Sequence, residues 1–196
     1  MCIRDRAIGM TVACILVDIQ NDFCPGGSLG TAKGDLVAEG VRTLLEEHRD
    51  DYDFVLATQD WHIDPGTHFS QDPDFVDTWP VHCVADTDGA QLRAPLASIS
   101  IDKYFRKGHY TAAYSGFEGV TDGDVLLGDW LRENDVTAVD VCGIATDHCV
   151  RATVLDARKE GFDVRVLADL CSPVDEERGQ AALREMEEAG ATIVAK

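Results

Sequence analysis

Basic residues are scarce in this sequence of 196 residues. It contains 17 Lys and Arg residues against 36 Asp and Glu residues, which gives a formal net charge of −19 at pH 7. Because an acidic surface repels phosphate backbones, we expect the protein not to bind nucleic acid. We interpret the excess of carboxylates as a contribution to solubility or as an adaptation to salt.

Long apolar runs are also missing. The longest one near the start covers residues 11–17, which is far too short to span a bilayer. The arginines of residues 1–10 have no apolar segment behind them, so they do not form a secretory signal. The sequence therefore predicts no membrane association.

The first nine residues fit no fold element, and a strand-like run begins directly after Met10. We therefore expect residues 1–9 to be a non-native or disordered extension. The remaining residues, 10–196, are enough for one domain with a sizeable core, and we predict a single domain there.

A disulfide framework is absent as well. The number of cysteines is odd, their spacing is irregular and no CxxC pair occurs, which together with the missing signal predicts free thiols and a cytoplasmic location. Most of these thiols should be buried as small apolar side chains. The seven are Cys2, Cys14, Cys24, Cys83, Cys142, Cys149 and Cys171.

Apolar patterns typical of strands and helices alternate along the chain. This alternation predicts an α/β fold in which helices cover both faces of a parallel sheet. The first helix should bury one stripe, formed by Leu36, Val37, Val41, Leu44 and Leu45. The predicted strands are residues 11–17, 54–57, 138–142, 164–167 and 191–194, and the predicted helices are residues 35–49, 124–133, 147–160 and 176–189. The stretch 61–116 is interpreted as rich in loops.

Ligands of such sheets bind beyond the carboxyl ends of the strands. This rule places Asp18, Asp60 and the turn 143–149 at one edge of the sheet. The turn connects a strand to a helix, and Cys149 opens that helix in GIATDHCVRATVLDA. Free N–H groups and the positive dipole there predict a lowered thiol pKa and donors for an oxyanion, although a buried structural cysteine is the alternative.

A thiolate nucleophile needs partners. Asp18 can take the thiol proton, and an aspartate that ends an apolar strand is costly to bury unless it is paired. Lys107, in FRKGHYTAAYSGF, can hold the carboxylate and thiolate charges together. The alternative for Lys107 is an ordinary surface lysine.

A group of metal-binding residue types follows the second strand. Asp60 and His62 alternate by two, so an extended segment points both to one side. Pro65 and Gly66 then turn the chain so that His68 can return, and His82 follows in WPVHCV, a further possible ligand. One carboxylate and three imidazoles suit zinc, iron or manganese, and the spacing does not separate these metals.

Aromatic residues are concentrated in the same loops. Planar side chains there can enclose a flat heteroaromatic ring, although lid or core packing is the alternative. Trp79 lies three residues before His82, and Phe23 lies five residues after Asp18. The others are Trp61, Phe69 and Tyr114.

Five segments in this order resemble the nicotinamidase/pyrazinamidase group of the isochorismatase-like cysteine hydrolase family. They are LVDIQNDFCPGGSL, TQDWHIDPGTHF, WPVHCV, FRKGHYTAAYSGF and GIATDHCVRATVLDA, of which the first begins at Leu16 and the last ends at Ala157. The resemblance implies a three-layer α/β/α fold with a central six-stranded parallel sheet of Rossmann-like topology. One departure lies after His82, where Asp86 replaces the first glycine of a pattern near CVxGTxG.

The resemblance also implies the roles of site residues. Asp18, Lys107 and Cys149 would be the catalytic triad, and Phe23, Trp79 and Tyr114 would contact the substrate ring. A cis peptide is implied between Ile144 and Ala145, with an oxyanion hole formed by the backbone N–H groups of Ala145 and Cys149. One divalent metal ion, zinc in preference to iron or manganese, would be held by Asp60, His62, His68 and His82.

The function implied is a metal-dependent cysteine amidohydrolase of NAD salvage. It would convert nicotinamide to nicotinate and ammonia, and pyrazinamide to pyrazinoate, through a thioester acyl-enzyme. The partner expected is thus a small aromatic carboxamide, and self-association into a homo-oligomer stays open. Four alternatives remain: a family amidase for ureido or carbamoyl substrates, a vinyl-ether hydrolase of isochorismatase type, a non-catalytic metal-binding module, and a thiol redox sensor.

Overall fold

A six-stranded sheet forms the centre of the computed structural model, which describes residues 9–195. Its spatial order is β3-β2-β1-β4-β5-β6, and every neighbouring pair is parallel. The strands are β1 (Val12–Val17), β2 (Phe54–Asp60), β3 (Lys103–Lys107), β4 (Ala138–Ile144), β5 (Asp163–Ser172) and β6 (Thr192–Val194). The predicted fold, with its six parallel strands, is confirmed.

Helices cover both faces of the sheet. Residues of α1 pack on one face, and residues of the other three helices pack on the opposite face. The helices are α1 (Gly34–His48), α2 (Leu127–Glu133), α3 (Arg151–Lys159) and α4 (Glu176–Glu188). Alternate residues of β1 enter the two cores, Ile15 and Val17 on one side and Cys14 and Leu16 on the other. Burial on both faces explains why this strand is apolar throughout.

Short helical turns occupy the connections. In the part of the chain that the structure describes, six are 3₁₀ turns and one, directly after β4, is a π-helical turn. They are Asn21–Phe23, Arg49–Asp51, Gly66–His68, Asp88–Ala90, Leu96–Ser98, Gly116–Glu118 and, as the π turn, Thr146–Val150.

The third strand was missed by the sequence pattern, which assigned this region to loops. Its sequence KYFRK has no apolar run, because β3 is an edge strand that buries only part of its surface. β3 pairs with β2 in a register that sets Lys107 opposite Asp60. The missed strand therefore brings Lys107, one of the predicted catalytic residues, to the carboxyl ends of the strands.

Other boundaries differ from the prediction. Leu36 is 72% exposed, so it does not belong to the buried stripe of α1. The predicted helix 147–160 is the π turn followed by α3, and the predicted helix 124–133 begins only at Leu127. β4 and β5 are longer than predicted and end at Ile144 and Ser172.

The strand order reverses between β1 and β4. Both strands approach closely there, since a side chain at Gly143 (φ +128°) would overlap the backbone of Val17. Such a reversal opens a crevice at the carboxyl ends of the strands, which is where this fold class binds ligands. Asp18 and the π turn lie at this crevice.

A buried ion pair crosses β4 and β5 on the α1 side of the sheet. Asp140 has no exposed surface, and both of its carboxylate oxygens accept hydrogen bonds from Arg165, at 2.9 and 2.8 Å. The hydroxyl of Tyr52 donates to the same carboxylate at 2.6 Å. No sequence pattern indicated this network.

We expect Asp140→Ala to lower the free energy of unfolding by about 3–5 kcal/mol, because it removes a charged partner that makes two hydrogen bonds to a mostly buried guanidinium. Urea unfolding followed by circular dichroism measures the loss. The control is Glu39→Ala, which removes an exposed partner of Arg42 and should cost less than about 1 kcal/mol. Equal losses of unfolding free energy in the two variants would contradict the view that the Asp140–Arg165 pair stabilises the fold through its burial.

No helix within residues 9–195 is long and apolar enough to cross a membrane. The six cysteines of this range are free and buried. Most of the predicted extension, residues 1–8, lies outside the described residues, as does Lys196.

Candidate active site

Three side chains from different strand ends meet below one pocket. Asp18 follows β1, Lys107 ends β3, and Cys149 lies in the π turn after β4. The Lys107 Nζ donates to Asp18 Oδ2 at 2.7 Å and lies 3.8 Å from the Sγ of Cys149. All three side chains are buried, with exposures of 0%, 1% and 6% for Asp18, Lys107 and Cys149. The structure thus brings the predicted triad together.

Lys107 also pairs with a second carboxylate. Its Nζ donates to Oδ1 of Asp60, the residue opposite it on β2. The other oxygen of Asp18, Oδ1, accepts a hydrogen bond from the Thr58 hydroxyl at 2.6 Å. Asp18 has a left-handed backbone conformation (φ +49°), which is unusual for a residue other than glycine and often marks a functional site.

Burial and the lysine set the protonation of the triad. Burial raises the pKa of Asp18, and the Lys107 cation opposes that shift without cancelling it. Burial also raises the pKa of Cys149 well above its usual value, although Lys107 lowers it. The prediction of a lowered thiol pKa was wrong, because desolvation in the π turn outweighs the favourable charges. Cys149 is therefore a thiol at rest and needs a base, and Asp18 is within reach.

A cluster of three imidazoles and a carboxylate lies beside the triad. The potential ligand atoms of His62, His68 and His82 are all within 4.8 Å of one another. Oδ2 of Asp60 lies 3.5 Å from Nε2 of His62 and 3.6 Å from Nε2 of His82. All four residues are buried.

The free nitrogens of this cluster fit a metal ion. Nδ1 of His62 bonds the Gly108 carbonyl at 2.6 Å, and Nδ1 of His82 bonds the Pro80 carbonyl at 2.7 Å. Because each carbonyl can only accept a hydrogen bond, the proton of each ring is on Nδ1. Each Nε2 therefore has a lone pair that can bind a metal ion. Among residues 9–195, the ring nitrogens of His68 and Nε2 of His62 find no hydrogen-bond partner although they are buried. Burial and the nearby His82 lower the pKa of His68 to about 4, which keeps it neutral at pH 7, the form that binds metals.

The pocket above these groups has an aromatic wall. Phe23, Trp79 and Tyr114 all line it together with Cys149 and His82. The Trp79 indole N–H donates to the Tyr114 hydroxyl at 3.2 Å. Phe23 lies 5.6 Å from His82 between ring centroids. The three predicted ring-contacting residues therefore border the same cavity as the nucleophile and the metal cluster.

Two other aromatic residues of the predicted set, Trp61 and Phe69, make contacts outside the pocket. Trp61 is buried against Cys83, and the Arg106 guanidinium stacks on its ring at 3.7 Å from the centroid. Phe69 packs edge-on against His62 at 5.2 Å. Neither borders the pocket.

Sequence reasoning missed four residues that line the pocket. His148 precedes the nucleophile and packs edge-on against Trp79 at 5.1 Å, a position that its place in DHCV could have indicated. Leu29 is the last residue of the first motif, and Thr31 lies two residues after it. Val174 gave no signal, because it comes from the connection between β5 and α4.

The turn that carries Cys149 begins with a cis peptide between Ile144 and Ala145. Ala145 lines the pocket, and its carbonyl accepts hydrogen bonds from the N–H groups of His148 and Val150. The Asp147 carboxylate accepts from the N–H groups of Val174 and Asp175. The turn is thus fixed from both sides, with Cys149 facing the cavity.

The loop that follows His82 departs from the family pattern, but its backbone at residue 86 has the conformation that glycine would adopt. Asp86 has a φ of +63°, in the left-handed region that glycine favours and that aspartate tolerates better than most residues. Aspartate in place of glycine at position 86 is therefore compatible with this turn, and His82 remains in the cluster.

Comparisons with known proteins point to one family. A model of the family described as isochorismatase domain matches residues 12–196. The nicotinamidase/pyrazinamidase of Mycobacterium tuberculosis is 50% identical over 182 residues, which cover 93% of this chain and 97% of that protein. The pyrazinamidase of Pyrococcus horikoshii in complex with zinc superposes with a TM-score of 0.79 at 38% identity, covering 94% of this chain and 99% of that one. For PnC1 from L. infantum in complex with nicotinate the TM-score is 0.79 at 36% identity, covering 94% and 92%.

Proposed function

This chain belongs to the isochorismatase family, and from that premise we propose that it is a nicotinamidase, which hydrolyses nicotinamide to nicotinate and ammonia. It also hydrolyses pyrazinamide to pyrazinoate. The observation that carries this function is the single aromatic pocket in which the thiol of Cys149 and the Asp60–histidine cluster face each other above Asp18 and Lys107. The similarity to a nicotinamidase/pyrazinamidase over nearly the whole chain supports it.

The first step is attack on the amide. Asp18, whose pKa is raised by burial, accepts the proton of the Cys149 thiol, and the sulfur bonds to the carbonyl carbon. Lys107 stays protonated, because Asp18, Asp60 and Cys149 raise its pKa well above the usual value despite burial. Its charge stabilises the anionic groups on either side. The N–H groups of Ala145 and Cys149 donate to the developing oxyanion.

The second half releases the products. Asp18 returns its proton to the leaving amine, so that ammonia departs and a thioester to Cys149 remains. Water then attacks the thioester with Asp18 as base, which frees nicotinate and restores the thiol. The geometry supports this sequence because one buried carboxylate is close to both sulfur and lysine.

Asp60, His62, His68 and His82 would hold one divalent metal ion. When bound, the ion would supply a positive charge for the lone pair of the substrate's ring nitrogen. We propose zinc, with iron and manganese as alternatives, because zinc accepts three imidazoles and one carboxylate. Phe23, Trp79 and Tyr114 enclose the ring.

An ammonia-release assay tests the function. Purified protein is incubated with nicotinamide, pyrazinamide, and a ureido compound of similar size, each with and without a chelator. We expect release from the two aromatic carboxamides and loss of that release after chelation. Release from the ureido compound alone would assign a different family amidase, and metal binding without any release would indicate a non-catalytic module.

Replacing a histidine of the cluster should remove the metal. We expect His62→Ala and His82→Ala to reduce the metal content of the purified protein to well below one ion per chain, since each loses a ligand that a backbone carbonyl orients. Elemental analysis measures the content. The control, His48→Ala, alters a histidine at the end of α1 and should retain the metal. Full metal content in both cluster variants would contradict the ligand assignment.

Three further properties belong to the same proposal. Nicotinate from this reaction enters NAD salvage and pyridine nucleotide biosynthesis. The free, buried cysteines suit a reducing compartment, so we place the enzyme in the cytoplasm. The catalytic unit is a single domain of residues 10–196.

A further inference from the structure

The segment after β1 has polar side chains that the proposed mechanism does not use. Gln20 has no exposed surface, and its amide contacts the backbone of Asp60 twice. Its Oε1 accepts the Asp60 N–H at 3.0 Å, and its Nε2 donates to the Asp60 carbonyl at 2.9 Å. The same Nε2 donates to the Ala90 carbonyl at 2.9 Å. The amide thus holds both backbone groups of a metal-ligand residue.

Two residues further along, Asp22 makes a comparable contact to the loop of His82. Its Oδ2 accepts the N–H of Cys83 at 2.7 Å. Cys83 has a left-handed backbone (φ +46°), and its carbonyl accepts the N–H of His62 at 2.9 Å. One carboxylate therefore fixes the residue that follows His82 and pairs with His62. A side chain at Gly89 would overlap this carboxylate, so the neighbouring turn is shaped to admit it.

We propose that Gln20 and Asp22 are positioning residues of the metal cluster. They act through the backbone, Gln20 on Asp60 and Asp22 on the segment that joins His82 to His62. The inference rests on the proposed metal site and deepens it, because it assigns the preorganisation of that site to the segment that also supplies Asp18.

The chemistry of each side chain fits this role. Residue 60 presents an N–H and a carbonyl, and an amide is the side chain that offers both an acceptor and a donor. Cys83 presents an N–H in a conformation that costs energy for a residue with a Cβ, and a carboxylate is the strongest common acceptor for it. Loss of groups that orient metal ligands typically weakens binding by about 10–100-fold.

Zinc affinity tests the proposal. The apparent Kd for Zn²⁺ is measured by competition with a chromophoric chelator for the intact protein and for Gln20→Met, Asp22→Ala and Asp22→Asn. The control is Asn21→Ala, because Asn21 donates to the Asp88 carbonyl of the same neighbouring loop but contacts no residue of the cluster through that bond. Circular dichroism and thermal unfolding of each metal-free protein report on the fold.

We expect Gln20→Met and Asp22→Ala to raise the zinc Kd by about 10–100-fold. Asp22→Asn retains an oxygen acceptor and should recover most of the affinity. Asn21→Ala should bind within about twofold of the unchanged protein. Recovery by asparagine separates positioning from a general loss of structure, and it keeps the test informative if Gln20→Met does not fold.

Unchanged zinc affinity in a folded Asp22→Ala protein would overturn the proposal, as would equal weakening in Asn21→Ala. Failure of the unsubstituted protein to bind zinc is a different outcome. It would refute the proposed zinc site itself, independently of the roles of Gln20 and Asp22.

Discussion

Replacing Cys149 with alanine is expected to reduce ammonia release from nicotinamide by at least about 10⁴-fold. The sulfur is the atom that bonds to the carbonyl carbon, and no other thiol lines the pocket within residues 9–195. Metal content should stay unchanged, because Cys149 is not one of the four proposed metal ligands. Steady-state assays and elemental analysis of one preparation measure both properties.

Cys14→Ala is the matched control. Cys14 is a free thiol with no exposed surface on β1, in the core on the α1 side. Its loss removes a thiol from the same sheet but leaves the pocket intact, so activity should remain within about threefold. A direct probe of the intermediate is hydroxylamine, which converts a thioester to a hydroxamate. Substantial ammonia release by Cys149→Ala would refute the covalent route while leaving the fold and the metal cluster unaffected.

The sequence predicted the site well where its residues follow recognisable elements. Asp18 directly follows β1, Asp60 is the last residue of β2, and Cys149 lies in a strand-to-helix turn, so the topology of a parallel sheet brings them to one edge. The histidines lie in the long connection between β2 and β3, at the same edge. This explains why the composition of the site was foreseen before its geometry was known.

The contacts of those residues were predicted only in part. Lys107 was expected to partner Asp18 and Cys149, but its bond to Asp60 was not predicted. That bond depends on the register in which β3, a strand with no apolar pattern, pairs with β2. Gln20 acts on a residue 40 positions away along the chain. Such contacts depend on how elements pack, and no local pattern encodes them.

The predicted lowering of the Cys149 pKa was wrong for a related reason. The prediction used the dipole of a helix that follows the nucleophile, which is a local property. Burial by surrounding elements decides the outcome instead, and it raises the pKa of the thiol. This matters for the chemistry. Because the resting group is a thiol, Asp18 is needed as an ionised base, and Lys107 then pairs with the carboxylates of both Asp18 and Asp60.

Replacing Lys107 with methionine should therefore affect activity and stability together. The Nζ is the positive charge between the carboxylates of Asp18 and Asp60, and all three side chains are buried. Without it, two buried anions lose their counter-charge, which should lower the free energy of unfolding by about 3–5 kcal/mol. We expect kcat/KM for nicotinamide to fall by roughly 10³-fold, since the charge that stabilises the reacting anions is gone.

Lys103→Met provides the control for this change. Lys103 begins the same strand and is exposed, so its loss removes an equal charge from β3 without touching the site. Urea unfolding and steady-state kinetics should both give values close to those of the unchanged protein. Lys107→Arg should restore little activity, because the planar guanidinium is larger than the ammonium and does not fit between the two carboxylates in the same way. A folded Lys107→Met protein with near-normal kcat/KM would show that the reaction does not depend on this cation.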